Sequence, residues 1–368
     1  MGKYRSKPEI QSPARRDFLK ASLLGVAGFS SALSGCSSYV FNRNMPGKTS
    51  IIDPGKAIVS LVPGNDRREM IYNALQPFRD NLAEAIRNKQ VVVKLNCVGQ
   101  NGHPLMVTHP DAVRGVLDFL QPIYKKTVIV GESTVQNKNP EKTFEIFGYL
   151  PLEREYNAKI VELNHEPTTY QWILDKNLKP IPIKVIDTFL DPNNFIISVT
   201  RLKTHNCVVA TLSLKNVVMG SPQKIPNLNI NDKAKMHAGN KTPKFINHNL
   251  FLMANRVRPD FAVLDGFEGV EGNGPANGTP VDHRVALAGP DFLAVDRIGT
   301  ELMGIPWEDI GYLNYCSDAG LGQGDRSKID IIGPAPGMYV RKYKLHENIE
   351  WQLTWKEELD VGSSVKRN

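Results

Sequence analysis

The sequence contains few cysteines, and their spacing argues against two kinds of cysteine chemistry. Four cysteines occur in 368 residues, and no two of them form a C-x-x-C pair or part of a ferredoxin-like run. A conventional iron–sulfur site needs such closely spaced thiolates. The three cysteines beyond Cys36 are an odd number and are poor material for a disulfide framework. The cofactor is therefore unknown, and this chain has no iron–sulfur motif.

The chain also lacks a strong excess of positive charge outside its first residues. Its net charge is +7, but residues 1–35 hold six basic and two acidic residues, which leaves +3 for the remainder. Nucleic-acid binding is typical of a concentrated basic surface. The charge balance therefore predicts no nucleic-acid partner, and any attraction for anions must come from a local cluster.

Two phosphate-binding signatures are missing as well. The glycine-rich turns do not match a P-loop, and no G-x-G-x-x-G follows a strand and opens a helix. Simple nucleotide-hydrolase and Rossmann interpretations are therefore set aside.

The first 36 residues have the order of a twin-arginine lipoprotein signal. Arg15-Arg16-Asp17-Phe18-Leu19-Lys20 contains the paired arginines, and the apolar stretch over residues 21–32 is too short for a permanent membrane span. Leu33-Ser34-Gly35-Cys36 resembles a lipobox. These features predict export by the twin-arginine translocase, a lipid on Cys36, and a position on the periplasmic side of a bacterial membrane. The alternative is an amphipathic helix that begins a soluble domain.

The remainder of the chain is predicted to form one α/β domain. We predict a tether over residues 37–55, the domain over residues 56–340, and a C-terminal extension over residues 341–368. Short β-branched runs alternate with amphipathic helical patterns through the domain. This alternation predicts a mainly parallel sheet with helices on both faces and long polar loops over the strand ends.

Individual elements follow from the same pattern. We predict one helix over residues 67–88, and a strand over residues 261–264 that runs into a glycine-rich turn. The sequence of residues 165–190 predicts a hairpin or an insertion. Residues 220–241 form a long polar loop, which we interpret as a candidate lid.

Polar residues that directly follow apolar strands are candidates for a functional site. In a parallel α/β sheet, ligands bind beyond the carboxyl ends of the strands. Lysines suit an anionic ligand, and the ordinary pKa of histidine, about 6.5, suits proton transfer. Taken singly, each residue also fits a solvated surface or a helix cap. The predicted catalytic residues are His205, Lys203 and Lys215, and the predicted ligand-binding residues are Lys94, Asn96, His109 and Asn216.

A group of carboxylates follows the strand over residues 261–264. Asp265, Glu268 and Glu271 offer oxygen ligands for a hard cation such as Mg²⁺ or Ca²⁺. We therefore predict these three residues as a candidate site for a divalent metal.

Six motifs follow one another over roughly residues 90–325. They are Val-Val-Val-Lys-Leu-Asn (91–96), Thr-His-Pro (108–110), Leu-Lys-Thr-His (202–205), Leu-Ser-Leu-Lys-Asn-Val-Val-Met-Gly (212–220), Asp-Gly-Phe-Glu-Gly-Val-Glu-Gly-Asn-Gly-Pro (265–275) and Asp-Phe-Leu-Ala-Val-Asp (291–296). In this order they resemble the domain-of-unknown-function 362 family. One departure is Leu95, where the family pattern has proline.

The resemblance implies a shared domain but no known reaction. It also implies redox work, because some relatives have ferredoxin-type modules. This chain lacks those cysteines, so a partner would have to supply the electrons. Two functions remain open: an exported, membrane-anchored enzyme acting on a small anionic substrate with a candidate divalent metal, or a non-catalytic cofactor- or ligand-binding lipoprotein that serves a membrane redox system. A scaffold with a relic site is a third alternative.

Overall fold

The computed structural model describes residues 56–97, 103–135, 139–237 and 242–357. The predicted signal, Cys36 and the predicted tether lie outside these residues. Within the described part of the chain, no helix has the length and apolar character needed to cross a membrane.

Strands and helices alternate along the described residues. The strands are β1 (Ala57–Pro63), β2 (Gln90–Lys94), β3 (Val128–Glu132), β4 (Ala158–Glu162), β5 (Thr168–Leu174), β6 (Pro180–Ile186), β7 (Asn194–His205), β8 (Val209–Thr211), β9 (Lys224–Ile225), β10 (Ile230–Asn231), β11 (Phe261–Asn273), β12 (Asn277–Gly289) and β13 (Ile329–Ile332). The α-helices are α1 (Arg67–Leu75), α2 (Arg79–Ile86), α3 (Pro110–Leu120), α4 (Pro140–Ile146), α5 (Leu152–Glu155), α6 (Ser213–Gly220), α7 (Asp232–Met236), α8 (Pro243–Ala254), α9 (Phe292–Leu302), α10 (Gly311–Asp318) and α11 (Ile349–Leu353).

One large sheet organises the described residues. Its strand order is β13-β1-β12-β11-β7-β2-β3-β4, and β8 pairs with β7. The run from β11 to β4 is parallel, while β12 is antiparallel to both of its neighbours. The sheet is therefore mainly parallel, as predicted.

Helices cover both faces of this sheet. Alternate residues of a strand point to opposite faces. Val91 and Val93 of β2 pack in a buried cluster with residues of α1, α2 and α3. Val92 packs in a second cluster, with residues of α6, α8 and α9. The predicted fold class is confirmed.

The predicted helix over residues 67–88 is interrupted. A 3₁₀ turn over Gln76–Phe78 separates α1 from α2. Pro77 lies within this turn, and a proline has no backbone N–H to continue the helical hydrogen bonds. The spacing of apolar residues in this segment does not indicate the break, because the break depends on the single residue Pro77.

The predicted glycine-rich turn after residue 264 is instead part of a long strand. β11 and β12 form an antiparallel hairpin that is paired as far as Asn273 and Asn277. A Cβ atom at Gly266 would lie 2.7 Å from Val285 and 2.8 Å from Leu202. Glycine is therefore needed here because neighbouring chains approach closely, and not because the backbone turns.

The two irregular segments contain short elements. β5 and β6 form an antiparallel hairpin within residues 165–190, in agreement with the first of the two predictions for that segment. The polar segment that begins at residue 220 contains the two-residue strands β9 and β10, followed by α7.

The order of connections creates a switch point in the sheet. β2 and β7 are adjacent and parallel. The chain leaves β2 toward β3 on one side and leaves β7 toward β11 on the other. A crevice opens where neighbouring connections diverge in this way, beyond the carboxyl ends of the strands.

A buried carboxylate from α9 fixes the start of α6. Asp296 accepts hydrogen bonds from the backbone amides of Ser213 (2.9 Å) and Leu214 (3.1 Å), and from the Ser213 hydroxyl (2.6 Å). The residue that precedes α6 makes no side-chain cap. Asp296 thus satisfies amides that a helix leaves unpaired at its first turn.

Replacement of Asp296 should therefore destabilise the fold. We expect D296A to lower the free energy of unfolding by about 3 kcal/mol, because two buried amides and a hydroxyl lose their acceptor. D296N keeps one oxygen acceptor, so we expect a loss of about 1 kcal/mol. Urea unfolding at pH 7.5 measures both values. Equal stability of the two variants would show that the amides do not depend on this side chain.

Candidate functional site

A cleft of about 350 Å³ lies at the carboxyl ends of β2, β3 and β7. These strand ends belong to the switch point in the sheet. Among the described residues that line the cleft, five are lysines and one is a carboxylate. The lysines are Lys94, Lys203, Lys215, Lys224 and Lys233, and the carboxylate is Glu132.

Lys94 and Glu132 form a buried ion pair in the floor of the cleft. They are the last residues of β2 and β3, adjacent parallel strands, and their side chains are separated by 2.6 Å. Lys94 is 1% exposed and Glu132 is 3% exposed. Glu132 also accepts the backbone amides of Cys97 (2.5 Å) and Ser133 (2.8 Å). These bonds hold the carboxylate beside the ammonium group.

Gly220, the last residue of α6, leaves the space that the Lys94 side chain occupies. A Cβ atom at this position would collide with Cε of Lys94 and would lie 2.8 Å from Nζ. A larger residue would therefore displace the ammonium group from Glu132.

Three further buried lysines have no carboxylate partner in the described part of the chain. Lys203, Lys215 and Lys233 take part in none of the ion pairs formed by the described residues. Lys203 donates to the side-chain oxygen of Asn96 and to the carbonyl of Met106 at 2.8 Å. All three are at least nine-tenths buried. Neutral oxygens surround the amines of Lys203 and Lys233, and the amine of Lys215 contacts the His205 ring.

Burial changes the protonation of these lysines. Desolvation is the main cause, and it lowers the pKa of Lys203 and Lys233 to about 7 and that of Lys215 to about 8. The positive charge of Lys215 lowers the pKa of Lys203 further. At neutral pH the cleft thus holds amines that are only partly protonated. A bound anion would favour the ammonium forms.

His205 is neutral and its tautomer is fixed by the backbone. Burial, followed by the charge of Lys215, lowers the pKa of His205 well below 6.5. Its Nδ1 accepts a hydrogen bond from the backbone amide of Cys207 at 3.0 Å. A neutral imidazole that accepts at Nδ1 has its proton on Nε2. Nε2 lies 3.1 Å from Nζ of Lys215.

α7, in the predicted lid, contributes Lys233. Nζ of Lys233 donates to the Ser133 hydroxyl (2.8 Å) and to the carbonyls of Met219 (2.9 Å) and Gly220 (3.2 Å). Lys235, two residues later, is half-exposed and points away from the cleft, where it pairs with the buried Asp232 at 2.6 Å. Lys233 therefore lies on the side of α7 that closes the cleft, and Lys235 lies on the side that is exposed to solvent.

The remaining predicted site residues divide into two groups. Asn96 and Asn216 line the cleft, where Asn216 accepts from Lys94 (3.3 Å) and donates to Ser198 (3.0 Å). His109 is not part of the lining. It caps α3, and its Nδ1 accepts from the backbone amide of Asp111 at 3.1 Å. The structure thus places His109 at the start of α3 as a helix cap, and its role as a ligand-binding residue stays a prediction.

The predicted metal ligands do not form a metal site. Asp265 pairs with Arg67 at 3.1 Å, and Glu268 pairs with Arg201 at 3.1 Å. Glu271 accepts the backbone amide of Lys344 at 2.8 Å. Each of the three carboxylates is therefore already bound by a group from a distant part of the sequence. The partner is an arginine side chain for Asp265 and Glu268, and a backbone amide for Glu271.

None of the three carboxylates lines the cleft. Across the described residues, no group of three or more His, Cys, Asp or Glu side chains is placed to hold a metal ion. The carboxylate that lines the cleft is Glu132, which pairs with Lys94.

A comparison with models of known protein families assigns this chain to a family. The family model described as "Domain of unknown function (DUF362)" matches residues 91–301, more than half of the sequence. This chain belongs to the DUF362 family. The DUF362 segment includes the cleft residues from Lys94 to Pro275.

Other comparisons find proteins that are similar to parts of this DUF362 chain. A thylakoid-associated protein of Synechocystis sp. is 27% identical over 199 residues, which are 54% of this chain and 57% of the relative. The lactate racemase apoprotein from Thermoanaerobacterium thermosaccharolyticum matches with a TM-score of 0.40 and 12% identity, over 59% of this chain and 52% of that one. A Thermotoga maritima protein matches with a TM-score of 0.30 and 14% identity, over 58% and 55%. The chain spans little more than half the length of each.

The cleft residues that were not among the predicted site residues include Glu132 and Lys233. Glu132 is the last residue of a buried strand, the same signal that identified Lys94. Lys233 lies in the polar segment that we interpreted as a lid, but nothing in the local sequence distinguishes it from Lys235. Only the packing of α7 shows which of the two lysines faces inward.

The buried pair of Lys94 and Glu132 generates a stability prediction. We expect E132Q to lower the free energy of unfolding by about 3 kcal/mol, because Lys94 keeps a buried charge without its counterion. K94M should have a similar cost, and the double variant K94M/E132Q should recover most of it. Chemical unfolding of the four proteins gives the coupling energy.

The exposed pair of Lys56 and Asp330, 3.5 Å apart, is the matched control. We expect no measurable coupling there, because exposed pairs are screened by water and salt. Additive losses for Lys94 and Glu132 would contradict the buried-pair account.

Proposed function

We propose that this chain is an exported, lipid-anchored enzyme whose cleft binds a small anionic substrate. The observation on which the proposal rests is the set of three buried lysines, Lys203, Lys215 and Lys233, that have no carboxylate partner among the described residues. Burying positive charge is unfavourable unless something compensates for it. An anion in the cleft supplies that compensation.

The chemistry of the cleft supports a phosphate or carboxylate group as the bound anion. Lysine ammonium groups act as compact point charges for such groups. The single carboxylate of the lining, Glu132, is already neutralised by Lys94. A volume of about 350 Å³ is at the lower end of the range for small-molecule sites, so the ligand is small.

A pair of titratable groups supports catalysis rather than binding alone. His205 and Lys215 lie 3.1 Å apart inside the cleft, and burial lowers the pKa of both. Perturbed groups in a cleft are typical of proton-transfer sites. The alternative is a non-catalytic ligand-binding lipoprotein that serves a membrane redox system. It uses the same cleft, but loss of either side chain should then affect binding only.

The proposal of export and lipid anchoring rests on the order of three sequence features in residues 15–36. The paired arginines, the short apolar stretch and the lipobox-like cysteine follow each other at the spacing of a twin-arginine lipoprotein signal. The thylakoid-associated relative also supports a position at a membrane. We propose that the folded domain faces the periplasm, attached through Cys36.

Anion binding should be linked to proton uptake. Above pH 7 to 8 the three lysines lose protons in the free protein, and an anion restores them, so affinity should rise as pH falls. We expect sulfate and malonate to bind about tenfold more tightly at pH 6.5 than at pH 9. Sulfate and malonate keep their charge over this range, so the change reports the protein. Isothermal titration calorimetry in two buffers measures affinity and proton uptake.

Matched lysine variants test the assignment to the cleft. K233M should weaken sulfate binding about tenfold, because one charge-assisted contact is lost. K235M removes the same charge two residues away and should leave binding unchanged. No binding of either anion, binding independent of pH, or equal effects of K233M and K235M would contradict the proposal.

The proposed export signal has its own test. In a bacterium with a twin-arginine translocase, R15K/R16K should leave the protein in the cytoplasm, protected from protease added to spheroplasts. C36A should abolish incorporation of labelled palmitate. Export of R15K/R16K at the wild-type level, or absence of label in the wild type, would refute the corresponding step.

A further inference from the structure

The hydrogen bonds of His205 determine the protonation state of Lys215. Nδ1 of the ring accepts the Cys207 amide, so the ring proton is on Nε2 and points toward Nζ of Lys215. A hydrogen bond between these two nitrogens then needs a lone pair on Nζ. An ammonium group has none. The hydrogen bonding of His205 therefore favours the neutral amine of Lys215, a form that the lowered pKa of about 8 makes accessible near neutral pH.

Lys215 differs from the other deeply buried lysines of the cleft. Lys94 is held by Glu132, and Lys203 and Lys233 each donate to a backbone carbonyl as well as a side-chain oxygen. Within the described residues, the hydrogen-bond partner of Nζ in Lys215 is His205. The lone pair of Lys215 is thus available to an electrophile that enters the cleft.

We propose that Lys215 forms an imine with the carbonyl carbon of a small anionic aldehyde or ketone. The proposal deepens the proposed function, because it rests on anion binding in the same cleft. Lys203 and Lys233 hold the carboxylate or phosphate of this substrate, and Lys215 faces its carbonyl group. A neutral, desolvated lysine beside other cationic groups is the state that imine formation requires.

The atoms of the step balance without a further reactant. The lone pair of Nζ leaves its hydrogen bond with His205 and forms the C–N bond, and the carbonyl π electrons move to oxygen. A proton passes from nitrogen to that oxygen, which gives a carbinolamine. The second proton of the nitrogen passes to the hydroxyl as the C–O bond breaks, so the oxygen leaves as water and a neutral C=N bond forms. His205 Nε2–H, released from Nζ, donates a hydrogen bond to the departing oxygen and keeps its proton.

Reductive trapping of the purified protein tests the inference. Glyoxylate, a small anionic aldehyde, is added at pH 7 with cyanoborohydride, and peptide mass spectrometry measures the labelling rate of each lysine. We expect Lys215 to be labelled about tenfold faster than exposed lysines such as Lys235, because its buried amine has a lone pair available to the aldehyde. Malonate, which has no aldehyde or ketone, should protect Lys215 and leave Lys235 unaffected.

The wild-type protein alone can overturn the inference, so the test does not depend on a variant that folds. Labelling of Lys215 no faster than that of Lys235 contradicts it. K215R, checked by circular dichroism, should lose the cleft adduct and keep the surface adducts. If sulfate and malonate still bind with the expected pH dependence but Lys215 is not trapped, imine formation fails and the proposed function stands. If neither anion binds, the proposed function fails as well.

Discussion

Burial of positive charge without a counterion is the constraint on which this site depends. An ammonium group loses its hydrating water when it is buried in the cleft. Hydrogen bonds to neutral oxygens compensate for that loss only in part. For Lys203, Lys215 and Lys233 the folded pKa lies below the unfolded value of 10.5. The unfolded chain then binds more protons, so these groups oppose folding most strongly below about pH 7, and their cost declines as pH rises toward 10.5. A stable fold must offset that cost elsewhere, through the two hydrophobic clusters on the faces of the sheet.

The topology explains why the lysines meet at one place. β2 and β7 come from distant parts of the sequence, yet they are neighbours at the switch point, and polar residues at their carboxyl ends face a common crevice. Asp296 fixes the start of α6, which brings Lys215 and Asn216 to the same crevice from one face. α7 adds Lys233 from above. Four separate segments therefore contribute Lys94, Lys203, Lys215 and Lys233 to one cleft.

Much of this arrangement could be predicted from the sequence, because strand patterns and the rule for strand ends are local. Six of the seven predicted catalytic and ligand-binding residues line the cleft; His109 does not. The predictions that failed concerned features that depend on long-range contacts. Arg67 and Arg201 neutralise Asp265 and Glu268, and no local pattern indicates that an acidic residue already has a distant partner. Likewise, the glycine-rich stretch after residue 264 is a strand because β12 pairs with it.

The protonation of the buried lysines in the free protein is the most direct test of this account. Lysine labelled with ¹³C at Cε reports the charge of its own amine in a heteronuclear NMR titration, and single Lys→Arg variants assign the signals. The account predicts that the signals of Lys203, Lys215 and Lys233 titrate between about pH 6.5 and 8.5, and that added sulfate moves the midpoints upward. Midpoints near 10.5 for all three, unchanged by sulfate, would contradict it.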